Sequence, residues 1–124
     1  MPSRTVLSIG QCRPDHAAIQ HFLTSRFDTQ VLAADHADES LRILEQHSID
    51  LVLINRKLDA DYSDGMEILK AIKQNPATAH VPVMLVSNFP EWQEKAVNCG
   101  ATYGFGKAEL NSAEVTERLR GVLG

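Results

Sequence analysis

The chain has 124 residues, 44% of them hydrophobic and 23% charged, with a formal net charge of −4. That balance suits one domain over residues 1–124, large enough to bury a core without disulfides or metal. No run approaches the roughly 20 apolar residues of a membrane span, and the 12 Lys and Arg residues are scattered rather than gathered into the basic face that nucleic acid binding requires.

The N-terminal stretch carries one arginine and then a short apolar run, Val6-Leu7-Ser8-Ile9, that turns polar at once, which reads as a first strand and not a signal peptide. Pro14 suits the first position of a helix, with Ile19, Phe22 and Leu23 following at helical spacing. Val31-Leu32-Ala33-Ala34 reads as a second strand, and Asp35 marks the cap region of a second helix carrying Leu41, Ile43 and Leu44. Leu51-Val52-Leu53-Ile54 reads as a third strand. Met66, Ile68, Leu69 and Ile72 define a third helix, stopped by Asn75-Pro76. Val83-Met84-Leu85-Val86 reads as a fourth strand, and Pro90 opens a fourth helix that Gly100 closes. A weaker fifth strand spans Thr102 to Gly106. Asn111, with Glu114 three residues later, is a capping-box variant opening a fifth helix striped by Val115, Leu119 and Val122.

Strands apolar on consecutive residues suit a parallel sheet covered on both faces. The alternation predicts an α/β fold, (βα)5, doubly wound around a five-stranded parallel sheet. In such sheets functional residues gather at the carboxyl ends of the strands: Gly10 to Cys12, Asn55 to Lys57, Ser87 to Asn88, and Lys107. Cys12 and Cys99 lie far apart; without a secretion signal they point to reduced thiols and a cytoplasmic setting. Cys12, His16 and Cys99 fit no metal-binding spacing, so neither metal nor cofactor is expected. The five histidines are dispersed, and surface or capping roles are expected of them.

Several segments together, in order, resemble the receiver domain of two-component response regulators, a flavodoxin-like fold, over nearly the whole chain. Asp50-Leu51-Val52-Leu53-Ile54-Asn55 is similar to the family's third strand, Asp64-Gly65-Met66-Glu67-Ile68-Leu69 to its D-G-x-E-x-L helix opening, Val81-Pro82-Val83-Met84-Leu85-Val86-Ser87 to its fourth strand, and Gly100-Ala101 with Lys107 to its G-A…K segment. The resemblance implies phosphotransfer from a histidine kinase to an aspartate ending the third strand. It also implies an acidic pair after the first strand that helps hold Mg²⁺, and a hydroxyl and a lysine that bind the phosphoryl oxygens.

On that mapping the nucleophile position is Asn55 and the acidic-pair positions are Gly10 and Gln11, so all three carboxylates are absent, while Ser87 and Lys107 retain the phosphoryl-binding positions. Ala108 stands where the family usually has proline, and Gly104 where it has an aromatic switch residue, flanked by Tyr103 and Phe105. Lys107 is expected to bond the Asn55 side-chain oxygen or backbone carbonyls, or to turn to solvent, because burying an ammonium without a partner is costly. Asp15 could reach the former metal pocket from the first helix, but it is expected rather to stabilise the first turn of that helix through the dipole. The loop from Asn55 to Gly65 is longer than usual, and its Asp59, Asp61 and Asp64 read as solvated turn residues.

The resulting expectation is a non-enzymatic pseudo-receiver in two-component signalling. It would act by phosphorylation-independent protein–protein interaction with a kinase, another regulator or a second copy of itself, without nucleic acid or membrane. Tyr103, Phe105 and Trp92 are interface candidates on the face of helix four, strand five and helix five, through which the family also dimerises. Trp92 has two open readings, packing on the domain body or anchoring a partner. The alternative function is a small-anion or metabolite sensor using the emptied pocket through Ser87 and Lys107. An enzyme of flavodoxin-like architecture lacks support, since Gly10-Gln11-Cys12-Arg13-Pro14 is no glycine-rich phosphate loop.

Overall fold

The computed structural model describes residues 4–124; Met1 to Ser3, read above as leading into the first strand, lie outside the described residues. Strands and helices alternate: β1 (Arg4–Ile9), α1 (Arg13–Arg26), β2 (Thr29–Ala34), α2 (Ala37–Gln46), β3 (Leu51–Asn55), α3 (Gly65–Gln74), β4 (Val83–Val86), α4 (Pro90–Asn98), β5 (Thr102–Phe105), a 3₁₀ turn (Lys107–Glu109) and α5 (Ala113–Leu123). The strands pair in parallel in the order β2-β1-β3-β4-β5, as the alternation requires. The order reverses between β1 and β3, and that switch opens a crevice at their carboxyl ends.

Period-two alternation along the strands divides the core. Leu7, Ile9, Val52, Ile54 and Leu85 pack with Leu44, Leu69, Ile72 and Ala96 under α2, α3 and α4. Val6, Leu51, Leu53, Met84 and Val86 pack with Ile19, Phe22, Leu23, Val115 and Leu119 under α1 and α5. Cutting one of the fully buried leucines, such as Leu53, to alanine would cost about 2–5 kcal/mol. β1, β3 and β4 are buried on both faces nearly throughout, whereas edge strand β2 and the start of β5 are partly exposed. Asn55 is the half-buried end of β3.

Two helix starts differ from the expectation. α5 is capped by Ser112, whose Oγ accepts from the Val115 amide at 3.2 Å, and not by Asn111. Ser112 is held there because its own N–H donates to the Glu109 carbonyl at 3.0 Å, closing the 3₁₀ turn. At α2 the N-cap is His36; Asp35 precedes it and donates its N–H to Glu39 Oε1 at 2.7 Å. Asp64 caps α3, accepting from the Met66 amide at 2.9 Å.

Candidate functional site

The carboxyl ends of β3, β4 and β5 enclose a pocket of about 220 Å³ lined by Asn55, Arg56, Lys57, Ser87, Asn88, Phe89 and Lys107. The sheet order thus brings Asn55, Ser87 and Lys107 together from distant parts of the chain. Among the described residues, three cations and no carboxylate line the pocket. Asn55 Nδ2 donates to the Gly10 carbonyl at 3.2 Å, tying the end of β3 to the end of β1. Ser87 Oγ accepts from the Phe89 amide at 3.2 Å and so shapes the turn into α4.

Lys107 does not follow the expectation: its Nζ lies 2.6 Å from Asp15 Oδ2. The first turn of α1 stands beside the β5–α5 connection, so a carboxylate 92 residues away in sequence is within reach. An ion pair compensates the ammonium better than neutral carbonyls would. The Lys107 hydrogen bond, then the Cys12 thiol, hold the Asp15 carboxyl below the usual carboxylate range. Asp15 is therefore the counterion of Lys107 and more than a helix-dipole partner.

Gly10 and Gln11 diverge. Gly10 has φ +77°, and a Cβ there would meet Leu58 Cδ2 at 2.3 Å, so a side chain at this position conflicts with the loop folded over it. Gln11 is buried and lines a separate cavity of about 150 Å³ with Ser8 and His16. In the loop after β3, Asp61 accepts from the Ser63 hydroxyl and amide at 2.6 and 3.0 Å and lies 3.4 Å from His36 Nδ1. The Ser63 hydroxyl, first of these, lowers the Asp61 pKa. Asp64 caps α3, and neither Asp59, Asp61 nor Asp64 lines the pocket at Lys107.

The aromatic candidates separate. Phe105 is 1% exposed within the α1–α5 core and is no interface residue, because β5 turns it inward. Tyr103 is 41% exposed, with the Arg118 guanidinium 5.2 Å from its ring. Trp92 packs against the core from α4 while its ring is flanked by Arg56 at 3.7 Å and Lys95 at 4.3 Å. Gln93 plays a part that sequence reasoning missed. Buried in α4, it donates to the Leu85 and Ser87 carbonyls at 2.9 and 3.1 Å and accepts from the Gly104 amide at 2.8 Å. Gly104 permits this closeness, since a Cβ there would sit 2.1 Å from the Leu85 oxygen.

A five-stranded 2-1-3-4-5 parallel sheet with its crevice at the strands' carboxyl ends is the flavodoxin-like arrangement of receiver domains. The family model for the response regulator receiver domain matches residues 14–120, and the chain belongs to that family. The signal receiver domain of an HD domain-containing protein from Pseudomonas fluorescens Pf-5 superposes with TM-score 0.80 at 22% identity, covering 98% of this chain and 95% of that one. The signal receiver domain of a DNA binding response regulator from Colwellia psychrerythraea 34H does so with TM-score 0.80 at 23% identity, covering 96% and 97%. A Vibrio cholerae protein named a probable cyclic di-GMP phosphodiesterase is 34% identical over 74 residues, 58% of this chain but only 16% of that protein. No helix among the described residues is long and apolar enough to cross a membrane.

Proposed function

We propose that this receiver domain signals without phosphotransfer, as a non-catalytic module whose face is read by a protein partner: a kinase, another regulator or a second copy of the chain. The observation that carries the reading is the Lys107–Asp15 pair at 2.6 Å beside a pocket lined by no carboxylate. In this reading Asn55 occupies the phosphoacceptor position. Its amide is no nucleophile of the carboxylate type, and its Nδ2 is already committed to the Gly10 carbonyl. Gly10 and Gln11 occupy the metal-pair positions, one without a side chain and one turned to another cavity. Lys107, which would otherwise answer a phosphoryl group, has an internal counterion and needs no phosphate to hold its position. Exposed Tyr103 and the cation-flanked Trp92 mark the surface of α4, β5 and α5 as the contact face, in a cytoplasmic setting. On incubation with acetyl phosphate and Mg²⁺ the intact mass should stay unchanged; a stable gain of one phosphoryl group would overturn the reading.

A second reading is favoured by one observation: Arg56, Lys57 and Lys107 line the same pocket as Ser87. Such a set suits a small phosphate- or carboxylate-bearing molecule. Inorganic phosphate in a thermal-shift series tests it, since a ligand of the native state raises Tm; a flat response would remove it.

A further inference from the structure

The cavity beside Gln11 lies apart from the Lys107 pocket and uses different chemistry. It sits between the ends of β1 and β2 and the first turn of α1, encloses about 150 Å³, and is lined by Ser8, Gln11, Arg13, His16 and Asp35. Ser8 is 1% and Gln11 8% exposed. Ser8 Oγ, Gln11 Oε1 and His16 Nδ1 are all buried and all lack a hydrogen-bond partner among the described residues. Native proteins satisfy nearly all buried polar atoms, so three such atoms on the walls of one cavity point to a ligand that completes them. The volume exceeds what a single water requires.

The donors and acceptors say what that ligand offers. Gln11 Nε2 lies 3.5 Å from the Ile9 carbonyl; the opposite amide orientation would set two carbonyl oxygens against each other, so Oε1 remains an acceptor. A serine hydroxyl accepts, and a neutral imidazole protonated at Nε2 accepts at Nδ1. Gln11 Oε1 can only accept, and Ser8 Oγ and His16 Nδ1 can each accept, so together they can take the three N–H donors of one ammonium group. Two opposite charges complete the lining: Asp35 offers a countercharge to an ammonium, and the Arg13 guanidinium has the fork geometry that takes a carboxylate.

We propose that this cavity binds a small zwitterion of the α-amino acid class. Its ammonium donates to Gln11 Oε1, Ser8 Oγ and His16 Nδ1, and its carboxylate meets Arg13. No reaction follows; the site is a binding site at the junction of α1 with the sheet, on the helix turn that carries Asp15.

The test uses the full chain, titrated by calorimetry and by NMR with glycine, alanine and serine. Ethylamine (ammonium only), acetate (carboxylate only) and glycerol (neither) are the comparison probes. The zwitterions should bind saturably and shift the His16 ring and Gln11 side-chain amide resonances, with ethylamine and acetate weaker by at least about tenfold. Gln11→Leu should weaken zwitterion binding by about tenfold, and Arg13→Gln, a change on the exposed rim that leaves the core intact, should do the same. Absence of saturable binding by every zwitterion, with the cavity holding solvent only, would overturn the proposal. So would acetate or glycerol binding as tightly as glycine, or Arg13→Gln leaving affinity unchanged.

Discussion

At the scale of single residues, the ion pair of Asp15 and Lys107 ties the first turn of α1 to the 3₁₀ turn after β5. Their side chains are 35% and 32% exposed, so solvent screens the pair and Asp15→Asn should cost only about 0.2–1 kcal/mol in urea unfolding. The pH dependence has a definite sign. Lys107 lowers the Asp15 pKa in the folded protein, so the contribution is present above the unfolded carboxylate value of about 3.9 and is lost as pH falls through the lower folded value. Wild type and Asp15→Asn should therefore differ above that window and converge below it in a pH series of unfolding free energies. Gly10 carries a second prediction. Its φ of +77° and the Leu58 side chain above it leave no room for a Cβ. Gly10→Asp should lower stability by about 1–3 kcal/mol, measured by the urea midpoint, rather than restore a metal ligand.

At the scale of elements, α4 is fastened to the sheet by Gln93. Replacing it with leucine would strand the Leu85 and Ser87 carbonyls and the Gly104 amide. Gln93→Leu should lower stability by about 1–3 kcal/mol, with the largest loss of amide-exchange protection in β5. The start of α5 separates two sequence readings: Ser112→Ala should cost about 1 kcal/mol and Asn111→Ala much less, because only Ser112 bonds the Val115 amide. Elements governed by local pattern were legible in the sequence. Consecutive apolar residues gave away β1, β3 and β4, and Asn75-Pro76 and Gly100 marked true helix ends. The position of a cap was not, since Asn and Ser are equally good caps and the 3₁₀ turn that chooses Ser112 is set by Lys107 to Glu109. Phe105 was misread for a related reason: a four-residue strand with a register shift against β4 does not reveal which side chains turn inward.

At the scale of the molecule, the candidate site was legible where strand ends define it. The crevice rule named Gly10 to Cys12, Asn55 to Lys57, Ser87 to Asn88 and Lys107, and the folded sheet brings all but Gly10 to Cys12 to one pocket. The partner of Lys107 was hidden, because nothing local links a lysine after β5 to the first turn of α1, and only the closed sheet sets them side by side. The same closure produces the polar cavity of Ser8, Gln11 and His16. The pocket at Lys107 thus keeps the receiver architecture while its lysine pairs with Asp15, and signalling without phosphotransfer is the function proposed for it. The measurement that tests this most directly is NMR of the full chain titrated with acetyl phosphate and Mg²⁺, following the backbone amides of Asn55, Ser87 and Lys107 together with the Asp15 carboxyl. The account predicts that these resonances stay in place and the Asp15–Lys107 pair persists. Stoichiometric shifts at the ends of β3, β4 and β5, with Asp15 released from Lys107, would contradict it.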